Sequence, residues 1–342
     1  MKTDATLISN VSNIIYCTNY SGFSEIEREA FLILTSDKKI LLTDSRYLNE
    51  VSKIKNIETV DLPVGKFLGD FGKEFLKNLG IKTLGIEENN LTVAEYKSLN
   101  KFIKTSPVDL SDLRIIKSSY EIKNIKLACE TSDKAFELIV KQLKIGKTEK
   151  QISNTLEKFI KNENAEISFK PIIAFGKNSA IPHHMSDETT LRKNQIVLMD
   201  FGVKINNYCS DMTRTVFFGR ADAKFKKMYK TVLNAQDRSI KTIKPGIKAS
   251  EIDKAARNYI TESNFPNIIH AVGHGIGIEV HEAPGISPYS NDIIRNGMVF
   301  SVEPGIYLED FGGVRIEDIV AVIDGKPELI SKAKREIIEV DV

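Results

Sequence analysis

Two stretches set one hundred positions apart, 141-KQLKIGKTEKQISNTLEKFIKN-162 and 241-KTIKPGIKASEIDKAARNYITE-262, align without a gap. Lys141/Lys241, Lys144/Lys244, Gly146/Gly246, Ile152/Ile252 and Ile160/Ile260 are identical, and Leu143/Ile243 and Phe159/Tyr259 are similar. Each copy reads as the end of one helix, a glycine stop and a second helix. In the first copy, Ile122, Ile125, Ala128, Ala135, Phe136, Ile139 and Leu143 recur at helical spacing. They predict a helix over 119–143, capped by Ser118 or Ser119. Thr148 and Gln151 form a capping box that opens the next helix, over 148–161. Short apolar strands with embedded carboxylates follow each copy. The expected arrangement is a pseudo-twofold domain of two α–α–β halves.

After the first copy, 196-IVLMDFGV-203 is an apolar strand with one acid, Asp200. A second strand candidate, 208-YCSDMTRTVFF-218, contains Asp211, and KINN between the two is a turn signal. A hairpin centred between Ile205 and Asn206 would set Asp200 directly opposite Asp211, with Cβ atoms roughly 4.5–5.5 Å apart. Two carboxylates that close repel unless they are protonated or bridged by a cation. The second copy repeats the pattern. A strand over 298–302 ends at Glu303, and 314-VRIEDIVAV-322 carries Arg315 and Glu317 on one face. A hairpin centred near Asp310, turning through 309-EDFGG-313, would set Glu303 opposite Glu317.

Between these acids lies 267-NIIHAVGHGIGIEVHEAPGISP-288, with His270, His274 and His281 and glycines at 273, 275 and 277. Glycines around a histidine permit close backbone approach, and a histidine so held is a candidate metal ligand or acid/base. Four carboxylates and one imidazole, His274, form an oxygen-rich donor set. Such a set suits two hard or borderline divalent ions, Mn, Co, Fe or Zn, and not a thiolate zinc site. Two ions about 3.5–4 Å apart can share a hydroxide and polarise a carbonyl.

The bulk composition narrows the alternatives. The chain has 342 residues, with 48 basic and 46 acidic side chains and a net charge of +2. No basic footprint for nucleic acid follows from that balance. Cys17, Cys129 and Cys209 are far apart and odd in number, which fits a reducing compartment. With no signal-like leader and no long apolar run, a cytoplasmic protein without a membrane partner is expected. Residues 1–112 read as an α/β module. FLILT (31–35) and ILLT (40–43) form a hairpin, helices cover 66–79 and 92–103, and a strand lies at 83–86. Asp44 and Arg46 suggest a surface ion pair or turn, and 107-PVDLS-111 is the linker candidate.

Along nearly its whole length the chain resembles the Xaa-Pro aminopeptidase/prolidase family, whose catalytic domain has the creatinase/aminopeptidase P "pita-bread" fold. TNYSGF (18–23) and LLTDSRY (41–47) are similar to that family's N-terminal domain, and LRIIKSSYEI (113–122) to its interdomain passage. The catalytic motifs are SAIPHH (179–184), LMDFG (198–202), YCSDMTRT (208–215), GHGIGIEVHEAP (273–284), SVEPGIY (301–307) and GGVRIED (312–318). The resemblance implies an α+β protein. A smaller creatinase-type α/β domain (1–112) would precede a pseudo-twofold pita-bread metallopeptidase domain (113–342), with a curved antiparallel sheet flanked by helices.

The resemblance also implies roles. Asp211 and Glu317 would bridge two divalent ions, with manganese first and Co, Zn or Fe as alternatives. Asp200 would complete one shell, and His274 and Glu303 the other. A metal-bridging hydroxide would attack the carbonyl before proline while Glu303 shuttles its proton. His281 would hold the scissile carbonyl or the tetrahedral intermediate, His183 would contact substrate near the leaving proline, and Arg315 would orient carboxylates or substrate. His270 reads as structural, and His184 as a second candidate for the pocket wall. The expected activity is that of an Xaa-Pro aminopeptidase acting, as a homodimer, on peptides with proline second. The alternative is an Xaa-Pro dipeptidase (prolidase); further off stands a creatinase-like non-peptidase or a non-catalytic binding relative. From the bottom up, an Xaa–Pro bond is a tertiary amide without an N–H and with a fixed φ, so it calls for a pocket shaped to the ring.

Overall fold

A computed structural model describes residues 3–341, and the chain divides into two compact units, Met1–Asp112 and Leu113–Val342. In the first, six strands are ordered Glu58–Asp61, Lys39–Thr43, Ala30–Leu34, Ala5–Ile8, Thr83–Ile86, Lys104–Pro107. The three central strands pair antiparallel, and the outer ones join in parallel. Side chains alternate across a strand, and here both faces are covered. Leu7, Phe31, Ile33, Ile40 and Leu42 enter one core, while Ile8, Leu32 and Leu41 enter another on the opposite face. Two helices expected from spacing are shortened. The one over 66–79 is interrupted, as Val64–Phe67 and Asp70–Asn78, with Gly69 in extended backbone opening the second piece. The other spans only Val93–Leu99 behind its Thr92 cap. Asp44 and Arg46 do form an exposed ion pair, at 2.9 Å.

The second unit shows the repeat directly. Helices Ser119–Gln142 and Glu149–Asn162 recur as Ala223–Thr242 and Ala249–Glu262. The linking glycines Gly146 and Gly246 have φ of 81° and 91°, a left-handed conformation that suits a helix stop only glycine enters freely. Ser118–Glu121 and Thr148–Gln151 make capping boxes, each of which stabilises its helix by about 1 kcal/mol. Each helix pair covers its own apolar cluster, one around Phe136, Ile139, Leu156 and Met199, the other around Phe225, Val232, Ile252 and Phe300.

Against these clusters lie antiparallel ladders. In the first half Gln195–Phe201 is flanked by Ile172–Phe175 and Met212–Phe218. In the second, Val299–Val302 pairs with Asp318–Ile323, and Gly273–Gly275 joins it to Glu282–Ile286. The first hairpin differs from expectation by a two-residue register change. Ile205 pairs with Tyr208, so the turn is Asn206–Asn207, with φ of 50° and 71°. Both central residues of such a tight hairpin turn need positive φ, which asparagine tolerates and β-branched isoleucine does not. Asp200 consequently stands opposite Thr213, not Asp211. The second hairpin keeps its expected register, since Val302↔Asp318 and Gly305↔Arg315 put Glu303 opposite Glu317. The strand expected over 314–322 is divided into Gly312–Arg315 and Asp318–Ile323. Glu317 occupies that break, where its amide bonds instead to Thr213 O at 3.1 Å. Glu303 sits in the matching break of the partner strand, its amide on Val272 O at 2.8 Å.

Candidate metal centre

These breaks turn four carboxylates into one cavity of about 350 Å³. Asp200 comes from the end of the strand Gln195–Phe201, Asp211 from just before Met212–Phe218, and Glu303 and Glu317 from the two ladder breaks. His274 comes from the short strand Gly273–Gly275. Its flanking glycines lie where a Cβ would fall about 2.0 Å from Ser301 O and 2.1 Å from Ala283 O, so only glycine lets this strand press the imidazole into the site. Ligand atoms of Asp200, Asp211 and Glu317 lie within 4.8 Å of one another, and so do those of His274, Glu303 and Glu317. Glu317 belongs to both groups. His281 also comes within that distance of Asp211 and His274, its ring centroid 4.2 Å from that of His274.

The electrostatics ask for cations. Asp211 Oδ1, Glu317 Oε1 and Asp200 Oδ1 are buried without a hydrogen-bond partner. Burial, then the charges of neighbouring carboxylates, push Asp211 and Glu317 far above the ordinary carboxylate range. Asp200 is raised too, first by burial, with Arg315 opposing. Burial would also raise Glu303, but the hydrogen bond and charge of His274 outweigh it and hold Glu303 at about 2. His274 is raised in return: Glu303 overcomes the downward push of burial. A buried set of acids with three free, converging oxygens is stable only when protonated or bridged by cations, and the oxygen-and-imidazole donors around them match hard or borderline divalent ions. The residues present therefore fit a divalent metal site.

A hydrogen-bonded frame holds the donors. Arg315 Nη2 donates to Asp200 Oδ2 at 2.6 Å, Nε to Thr213 Oγ1 at 3.0 Å and Nη1 to the Tyr307 hydroxyl at 2.7 Å. Thr213 Oγ1 in turn donates a hydrogen bond to Glu317 Oε2 at 2.7 Å. Ser301 Oγ donates to Glu303 Oε1 at 3.2 Å and accepts from the His274 amide at 3.1 Å. Such partners orient ligands and tune them.

All five metal-ligand candidates and Arg315 thus meet at the cavity, and His183 and His281, both exposed, line it. His270, read from sequence as structural, also lines it. Its Nδ1 faces Ala271 O at 2.6 Å and its Nε2 the Tyr307 hydroxyl at 2.8 Å. His184 is turned away from the cavity onto Glu149 Oε2, at 2.7 Å. Thr213, Ser301 and Tyr307 were not legible as site residues. Only Thr213 had a usable signal, as the register partner of Asp200 once the turn is placed on Asn206–Asn207.

The sequence pattern of metallopeptidase family M24 matches residues 123–324, and that of the creatinase/prolidase N-terminal domain matches residues 1–116. The Xaa-Pro dipeptidase of Pyrococcus horikoshii is 35% identical over 349 residues, covering 98% of this chain and 94% of the relative. Among solved structures, an Xaa-Pro dipeptidase from Bacillus anthracis superposes with a TM-score of 0.91 at 36% identity, covering 98% of this chain and 95% of that one. An X-Pro aminopeptidase from Thermotoga maritima gives 0.89 at 33% identity, covering 99% and 98%.

Proposed function

This chain belongs to metallopeptidase family M24, and from that premise we propose that it is an Xaa-Pro dipeptidase, hydrolysing the bond before a C-terminal proline. The observation that carries a hydrolytic site is the convergence of partnerless carboxylate oxygens of Asp200, Asp211 and Glu317 beside His274 in an open cavity. The substrate class is supported by the full-length similarity to proteins named Xaa-Pro dipeptidases. That similarity reverses the order expected from sequence, in which the aminopeptidase came first. The Thermotoga maritima X-Pro aminopeptidase keeps the aminopeptidase as the second reading.

In the proposed assignment Asp200, Asp211, His274, Glu303 and Glu317 hold two divalent ions, manganese before cobalt, zinc or iron. When bound, such ions activate water as a nucleophile and polarise the scissile carbonyl. The rest falls to the chain's own groups. Glu303 accepts the proton that the attacking water loses and delivers it to the proline nitrogen as the C–N bond breaks. His281, at the cavity wall, donates to the carbonyl oxygen as it gains charge. His183 contacts the proline ring from the opposite loop. Arg315 neither binds substrate nor moves a proton in this scheme. It fixes Asp200 directly and Glu317 through Thr213. The family resemblance further supports a homodimer, which light scattering on the purified protein tests, and the scattered cysteines fit a cytoplasmic, reducing compartment.

A graded series of Xaa-Pro, Xaa-Pro-Xaa and longer peptides, assayed with Mn, Co and Zn in turn, separates the readings. Turnover confined to the dipeptide is expected. Equal turnover of the longer peptides would establish the aminopeptidase instead.

A further inference from the structure

Pro182 and His183 reach the cavity wall from the segment that follows the strand Ile172–Phe175. Their local geometry is a β-turn, closed by the His184 amide on Ile181 O at 3.1 Å, with Pro182 at the position whose fixed φ suits it. His183 is the corner of that turn, and His184 is its last residue. The ring of His184 is anchored on Glu149, a fully buried residue that begins the helix Glu149–Asn162. One Glu149 oxygen accepts from the Phe175 amide at 2.7 Å and Asn178 Nδ2 at 2.9 Å. The other accepts from His184 Nε2 at 2.7 Å and the Asp187 amide at 3.1 Å. A carboxylate accepts only, so Nε2 carries the proton. One side chain thus ties four points of the loop.

The internal repeat provides a comparison within the same molecule. Both halves fasten loop to helix through the same backbone bonds. In the first, the Gly146 amide meets Leu191 O at 2.9 Å, the Leu191 amide meets Lys147 O at 2.8 Å and the Glu149 amide meets Thr189 O at 3.1 Å. In the second, the corresponding bonds are Gly246 to Ile294 O at 2.9 Å, Ile294 to Ile247 O at 2.9 Å and Ala249 to Asp292 O at 2.8 Å. The residue in the place of Glu149 is Ala249, so the docking itself does not require a carboxylate. The first-half loop also carries cavity residues, since the lining draws on it through Pro182 and His183.

We propose that Glu149 and His184 are positioning residues, which set the turn so that His183 and Pro182 face the substrate's proline. The proposal rests on the Xaa-Pro reading above. It is tested by comparing the metal-loaded wild type with His184→Ala, His184→Gln and Glu149→Ala on Xaa-Pro substrates, alongside amide hydrogen exchange. His184→Ala is expected to raise KM about tenfold, the worth of one charge-assisted hydrogen bond, with kcat changed less than about twofold. His184→Gln, whose amide donates from nearly the same point, restores KM. Residues 175–187 lose exchange protection in His184→Ala while the helix Ala223–Thr242 keeps its own. A loss that falls on kcat with KM unchanged, or unaltered KM and loop exchange, overturns the proposal. If the wild type cleaves no Xaa-Pro substrate, the dipeptidase reading fails by itself, and loop exchange alone then decides the positioning role.

Discussion

Thr213 stands directly opposite Asp200 in the first hairpin and donates a hydrogen bond from its hydroxyl to Glu317, at 2.7 Å, in the second. The two halves of the repeat therefore share a hydroxyl as well as a cavity, with Arg315 Nε on the same oxygen at 3.0 Å. Thr213→Val keeps the shape and removes that link. Metal affinity, read by calorimetric titration, is expected to fall about 10–100-fold, the usual effect of losing a partner behind a ligand. Unchanged affinity would mean that Arg315 alone orients the centre.

The raised carboxyls have a pH consequence for metal-free protein. For Asp211 and Glu317 the folded pKa lies above the unfolded value. Their contribution is therefore fully present below the ordinary carboxylate range and is lost as pH rises through the higher folded values. Glu303 has the opposite sign: its contribution is present above 4.5 and disappears as pH falls through about 2. Thermal melts in chelator should show stability declining as pH rises above the ordinary carboxylate range. Added divalent ion should abolish the decline, and Asp211→Asn with Glu317→Gln should flatten it without metal. A chelated wild type whose melting temperature stays level over that range contradicts the prediction.

His274 and His281 touch edge to face, yet different losses are expected from them. His274→Ala should weaken metal binding, because the imidazole lies 3.3 Å from Glu303 and 3.5 Å from Asp211. His281→Ala should lower kcat with metal retained. Metal analysis after gel filtration decides between the roles, and a metal-free His281→Ala protein would make His281 a ligand.

Lys117 and Glu282 form an ion pair at 2.6 Å, with side chains only 1% and 5% exposed. Lys117→Met leaves the Glu282 carboxylate buried, with Arg114 at 3.4 Å as its remaining cation. Breaking one member of such a pair destabilises by about 3–5 kcal/mol. Adding Glu282→Gln should recover part of that loss. Urea midpoints of the single and double variants measure both steps, and additive losses would show the pair to be uncoupled.

Much of this was readable in the chain itself, for identifiable reasons. Helix periodicity and caps are local, so the hundred-residue repeat and the boxes at Ser118 and Thr148 stand in the sequence as they stand in the fold. The Glu303–Glu317 register was legible because the second hairpin turns close to the centre that its acids imply. The first hairpin lies two residues out of the register that a turn centred on KINN gives, because only its two asparagines take positive φ. Spacing alone could not show that the helix over 66–79 breaks near Gly69, since the apolar pattern runs on through the break. The bonds made by His184, Ser301 and Tyr307 were beyond reach for another reason. Their partners Glu149, His274 and Arg315 are brought to them by tertiary packing, which no local pattern records.

Glu317 is the member common to both ligand groups, and of the five donors it is the last that a ribosome would deliver. A growing chain that already displays Asp200, Asp211, His274 and Glu303 still lacks the carboxylate on which either group closes. Domains fold as units during synthesis, and this ordering postpones a working centre until the second hairpin is complete. The nascent protein would thus hold neither ligand group closed while its own segments are still exposed.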